Sequence, residues 1–171
     1  MFLVVVAEEE IKALLFRRTG AEVVLAVLGD GLEVAGRNGF VLRGDALLDD
    51  VQTEDFDLFL IPGGAAVAVL RQDGRPAALA RDFVAAGKPV AAICAGPLVL
   101  HDAGLLAGKR FTAHFSVADE LPGAQTGERV LQDGLLVTSR GAGTALEFGL
   151  ALVDRLFGEA KEEEIARAIM A

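Results

Sequence analysis

Phe2-Leu3-Val4-Val5-Val6-Ala7 is apolar at every position and rich in β-branched residues. A strand with one face in water alternates apolar and polar side chains, whereas a strand covered on both faces does not have to. The run therefore predicts a strand buried between two layers, as in a parallel sheet. Phe56-Asp57-Leu58-Phe59-Leu60-Ile61 repeats the pattern, broken only by Asp57, and Val90-Ala91-Ala92-Ile93 repeats it without a break. Residues 22–28 add another strand. The segments between read as helices at 8–19, 65–70, 76–86 and 97–103, and further helices follow at 144–157 and 161–170. Strands alternating with helices place the chain in the α/β class, with a mostly parallel sheet and helices on both faces.

Smaller features fill the gaps. Residues 32–43 carry Gly36 and Asn38-Gly39 between short apolar segments, which predicts a hairpin. Gly29-Asp30-Gly31 lacks the third glycine of a dinucleotide fingerprint, and no helix pattern follows it. Residues 110–113 read as a short strand ending at His114, and 116–121 as a short helix with Ser116 and Asp119 at capping-box spacing. Thr144 and Glu147 have the same spacing ahead of an apolar run, and capping alone accounts for them. In the first helix Ile11, Leu14 and Leu15 share one face. Ala13 and Phe16 lie off it, so a partner subunit or a loop should cover a second surface there.

Cys94 is the only cysteine. It stands where a buried strand gives way, through Ala95-Gly96-Pro97, to an apolar helix, the geometry of a nucleophile elbow with a thiol in place of a hydroxyl. The amides opening the next helix carry partial positive charge and favour thiolate over thiol. Read alone, a single cysteine is more often a small packing residue. Its surroundings shift the balance. Pro62-Gly63-Gly64 ends a neighbouring strand and lets backbone N–H groups approach an oxyanion. His114, at the end of its own segment, falls at the carboxyl edge of the sheet, where ligands of such folds bind. A structural role serves His114 equally well. His101 reads as a surface histidine.

With 171 residues, 53% of them hydrophobic and 24% charged, the chain suits one domain with a sizeable core: 1–171, with the core over 2–158 and a C-terminal helix over 159–171. The net charge of −9 argues against sequence-independent nucleic-acid binding and against docking on anionic membrane. One cysteine leaves no internal disulfide, and with two histidines it argues against a structural zinc site. Residues 1–7 lack a basic n-region and stop at Glu8-Glu9-Glu10, and no apolar run reaches the roughly 20 residues a membrane span needs. The expected location is the cytoplasm.

Phe59-Leu60-Ile61-Pro62-Gly63-Gly64, Ala91-Ala92-Ile93-Cys94-Ala95-Gly96-Pro97 and Leu136-Val137-Thr138-Ser139-Arg140-Gly141-Ala142-Gly143-Thr144, followed by Glu147-Phe148, together resemble the ThiJ/PfpI superfamily, and within it most the parkinsonism-associated protein deglycase branch. The likeness runs in order from about residue 2 to residue 158. It implies a flavodoxin-like three-layer sandwich, a homodimer, a reactive Cys94 and an acidic residue from the first helix beside it. Counting back from Arg17-Arg18-Thr19-Gly20 puts that acid at Glu8. Held protonated, it would donate a hydrogen bond to the sulfur. Two departures stand out. The family loop before this glutamate is longer than here, so Glu9 or Glu10 competes for the role. The peptidase branch has histidine directly after the cysteine, and this chain has Ala95.

Three functions follow. In the first, Cys94 attacks a small reactive carbonyl or its protein adduct. Gly63, Gly64 and Ala95 supply backbone donors, Glu8 and His114 move protons, and neither metal nor organic cofactor is needed. In the second, Cys94 is a redox sensor with signalling or chaperone output. The third, an intracellular peptidase or amidase, is disfavoured by Ala95.

Overall fold

The computed structural model describes residues 2–5, 15–36, 39 and 41–171. Its centre is a seven-stranded sheet built from β1 (Phe2–Val5), β2 (Val23–Val27), β5 (Ala46–Leu47), β6 (Leu58–Ile61), β7 (Val90–Ile93), β8 (Val130–Asp133) and β9 (Leu136–Ser139), in the order β5-β2-β1-β6-β7-β9-β8. Each neighbouring pair is parallel except β8 and β9, which form an antiparallel pair through the turn at Gly134. β3 (Glu33–Ala35) and β4 (Val41–Arg43) form the separate hairpin that the sequence predicts.

The fully apolar runs behave as strands with two covered faces. Leu58, Leu60, Ala91 and Ile93 pack on one side with Leu15, Phe16, Phe148 and Leu152. Phe59, Ile61, Val90 and Ala92 pack on the other with Phe83, Leu98 and Leu100. Residues 15–18 are helical and share the first layer with α4 (Ala145–Phe157) and α5 (Glu159–Ile169). The second layer holds α1 (Val67–Asp73), α2 (Arg75–Ala85) and α3 (Pro97–Asp102). Arg71 fastens this layer, with a two-pronged contact to Asp102 at 2.7 and 3.0 Å and a third bond to Glu120 at 2.8 Å. The result is a flavodoxin-like three-layer α/β sandwich. From β1 the chain runs outward to β2 and β5, then crosses back to β6 on the other side. That reversal is the kind of switch point beside which such sheets bind ligands.

Four expectations need correction. Residues 110–113 form no strand. Thr112 donates its N–H to the Thr138 hydroxyl at 3.0 Å, and its own hydroxyl donates to the Glu128 carbonyl, so side chains take the place of a ladder. Residues 116–121 form no α-helix. A single 3-10 turn spans Phe115–Val117, capped by the His114 ring rather than by Ser116. Thr144 and Glu147 make no capping box, because Thr144 turns inward to Ser139 and Gly141 while Glu147 pairs with Arg129. Phe16 is completely buried within the monomer, in the same cluster as Leu15, and presents no second face to a partner. An edge strand that the sequence reading lacks, Ala46–Leu47, pairs with the end of β2.

Candidate active site

β7 is buried at all four positions and delivers Cys94 to the carboxyl edge of the sheet. Cys94 has φ +61°, a left-handed conformation that costs a non-glycine residue about 1–3 kcal/mol. Backbone bonds hold it there from both sides. Its N–H donates to Ser139 O at 2.8 Å, and its carbonyl accepts from the His114 N–H at 2.9 Å. The Gly96 N–H donates back to Ile93 O at 2.8 Å and closes the turn into α3. The residue is half-buried.

Packing is tight where the end of β6 meets the cysteine. A Cβ placed on Gly63 would stand 2.5 Å from Cys94 Cβ and 3.2 Å from its Sγ. One placed on Gly96 would meet the carbonyl oxygens of Ile61, Pro62 and Ile93 at 2.8–2.9 Å. Both glycines are therefore required by close approach of the β6 and β7 ends. Gly64, with φ +80°, turns the chain away toward α1. Among the described residues, the amides of Gly64 and Ala95 meet no protein acceptor. Of the residues singled out from the sequence, Cys94, Gly63, Gly64, Ala95 and His114 come together at this edge. Glu8, Glu9 and Glu10 lie outside the described residues. His101 is exposed on α3.

His114 is fixed through its ring. The Ser116 N–H donates to Nδ1 at 3.2 Å, and Ser116 Oγ lies 2.8 Å from the same nitrogen. A backbone N–H can only donate, so in the neutral ring the proton sits on Nε2. The ring also packs on Phe115, with centroids 4.2 Å apart.

Sequence reasoning passed over the polar support behind the elbow. Ser139 and Thr144 are buried and their hydroxyls lie 2.6 Å apart. Thr144 Oγ1 lies 2.7 Å from Gly141 O and Ser139 Oγ 3.1 Å from Arg129 O; with one proton each, one hydroxyl donates to the other and the second donates to its carbonyl. This network sets the path of the chain just after Ser139, whose carbonyl pins Cys94. The signal was present, since both hydroxyls fall inside the segment 136–144, but helix-start spacing gave Thr144 a simpler use. Outside the network, Arg129 Nε meets Glu147 Oε2 at 2.5 Å. That hydrogen bond raises the Arg129 pKa and holds the Glu147 carboxyl below the usual glutamate range, with the charge of Arg140 adding to the second effect.

A strained, half-buried cysteine at a strand-to-helix elbow, in a three-layer sandwich, defines a class: flavodoxin-like proteins with a cysteine at the elbow. The chain belongs to the DJ-1/PfpI family, whose model matches residues 7–155. It is 39% identical to Protein DJ-1 homolog A of Arabidopsis thaliana over 98% of this chain, which spans only 45% of that relative's length. It is 41% identical to the putative cysteine protease YraA of Bacillus subtilis over 73% of this chain and 76% of that protein. It is 33% identical to Deglycase PfpI of Pyrococcus furiosus over 74% and 78%. The structure of oxidized DJ-1 from Toxoplasma gondii superposes with a TM-score of 0.89 at 34% identity, over 99% of this chain and 97% of the other. No helix among the described residues is long and apolar enough to cross a membrane.

Proposed function

We propose that the chain is a cofactor-independent cysteine enzyme acting on small reactive carbonyls or on the adducts they leave on amines. The observation that carries this reading is the strained, doubly pinned Cys94 packed against Gly63. Strain of this kind persists where surrounding structure over-determines it, and it concentrates at reactive sites. The name of the Pyrococcus relative supports the same chemistry.

With methylglyoxal the steps balance without an external oxidant. The Cys94 thiolate adds to the aldehyde carbon, and the resulting oxyanion takes hydrogen bonds from the amides near Gly64 and Ala95 before it is protonated as a hemithioacetal. Glu8 and His114 then move a proton from the former aldehyde carbon to the neighbouring carbonyl carbon, through an enediol. The first carbon is oxidised to a thioester and the second is reduced to an alcohol. Water cleaves the thioester, releasing lactate and the thiol. The single chain is proposed as one domain, paired in a homodimer and located in the cytoplasm.

Purified protein incubated with methylglyoxal should form lactate, and Cys94→Ser should form none. Glu8→Gln should slow the reaction more than Glu9→Gln or Glu10→Gln. If lactate does not form at all, the enzyme reading fails. The second reading, a redox sensor, draws on the partial exposure of Cys94 and on the oxidized state named for the Toxoplasma structure. It requires Cys94 to gain oxygen under mild peroxide, as read by intact mass. A peptidase reading has a named relative in its favour, but Ala95 stands where the peptidase branch carries histidine.

A further inference from the structure

Beside His114 lies a cavity of about 450 Å³, walled by Ala113, Thr126, Arg129, Arg140 and the turn at Gly141–Thr144. It adjoins the elbow through the backbone. His114 donates its N–H to Cys94 O, and the chain enters Arg140 directly from Ser139, whose carbonyl holds Cys94 N–H. The chain carries a net charge of −9, yet among the described residues this cavity has two arginines and a histidine in its wall and no carboxylate. Glu147 neutralises Arg129 from the other side, where it lines a separate cleft with Asp154, Glu159 and Glu162. Arg140 acts on Glu147 by charge alone, with no hydrogen bond between them among the described residues. Among the described residues its guanidinium donates only to Gly127 O, at 2.9 Å through one nitrogen. Its remaining donors meet no acceptor among those residues, and the residue is half-buried. A guanidinium presents a planar fork that matches a carboxylate with two parallel hydrogen bonds.

The geometry points to a carboxylate subsite: the cavity receives the carboxylate of a substrate whose carbonyl reaches Cys94, and Arg140 sets that specificity. This deepens the carbonyl reading and rests on it. Methylglyoxal, a neutral three-carbon molecule, would use neither the volume nor the charge. A carbonyl compound or amine adduct carrying a carboxylate, as a glycated amino acid does, would use both. Holding the acid on Arg140 leaves the reacting carbon free to approach the thiol, so binding energy remote from the chemistry helps to position it.

The test separates the subsite from the chemistry. Succinate, which a thiolate does not attack, is titrated calorimetrically into folded Cys94→Ser protein, and into the same protein carrying Arg140→Gln or Arg140→Lys. Losing a charge-assisted pair should weaken succinate binding about tenfold in Arg140→Gln. Arg140→Lys, which keeps the charge and loses the fork, should fall between, and all binding should weaken as salt rises. Circular dichroism confirms that each variant is folded. Absence of succinate binding, or equal binding by all three proteins, overturns the subsite even if methylglyoxal is turned over. Arg140-dependent binding upholds it, and failure of lactate formation by the wild type then counts against the carbonyl chemistry alone.

Discussion

Two glycine-rich turns flank Cys94, and they are held by different physics. The turn at Pro62-Gly63-Gly64 is fixed by exclusion, since a Cβ at Gly63 would overlap the cysteine itself and one at the facing Gly96 would overlap three carbonyl oxygens. The turn at Gly141–Thr144 is fixed by attraction. A Cβ on Gly143 would meet nothing within 4 Å, and on Gly141 only the edge of the His114 ring at 3.4 Å. What orders this second turn is the buried Ser139–Thr144 hydroxyl pair and its bonds to the carbonyls of Arg129 and Gly141. The contrast teaches that glycine content does not report constraint. One turn would lose its shape by gaining an atom, the other by losing a hydroxyl.

Substitutions can break this contrast, beginning with the largest effect. Gly96→Ala should cost about 3 kcal/mol in chemical denaturation, because backbone oxygens cannot swing aside as a side chain can. Gly63→Ala should cost a similar amount, since the Cys94 Cβ is fixed by its backbone and cannot rotate aside, and it should displace the thiol and slow its alkylation. Thr144→Val should cost about 1–3 kcal/mol, because it strips partners from the buried Ser139 hydroxyl and the Gly141 carbonyl. It should also slow the reaction of Cys94, through the Ser139 carbonyl that holds its N–H.

The Arg129–Glu147 pair gives a smaller effect with a defined pH dependence. The Glu147 carboxyl is held below its ordinary range in the folded chain, so its stabilising contribution is complete above the unfolded value and is lost as pH falls through the folded one. Thermal unfolding followed from neutral pH down to about pH 3 should show Glu147→Gln losing its difference from the wild type as the carboxyl protonates. Both side chains are half exposed, which keeps the effect small. Smallest of all is Gly143→Ala, which should leave stability within about 0.5 kcal/mol of the wild type. A large loss there would mean that the second turn, like the first, is fixed by exclusion.

The same contrast explains which parts of the molecule the sequence made legible. Leu58–Ile61 and Val90–Ile93 could be read because burial on both faces leaves a run with no polar break. The elbow could be read because Ala95-Gly96-Pro97, a turn of small residues, directly follows an unbroken apolar strand. Residues 110–113 were misread because β-propensity does not say whether a ladder partner is free. Here β9 already pairs with β7 and β8, so Thr112 reaches only the Thr138 side chain. Thr144 and Glu147 were misread because helix-cap spacing is local, while their partners Ser139, Gly141 and Arg129 are set by tertiary folding. The lone edge strand Ala46–Leu47 is too short to show any period.

The central claim is that the elbow makes Cys94 a nucleophile toward carbonyl carbon. Carbon-13 NMR of the protein mixed with methylglyoxal labelled at the aldehyde carbon tests it most directly. The account predicts that the label passes through a cysteine-bound adduct into the carboxyl of lactate in the wild type, and that neither signal appears with Cys94→Ser. Labelled lactate formed equally by both proteins, or by neither, would contradict it.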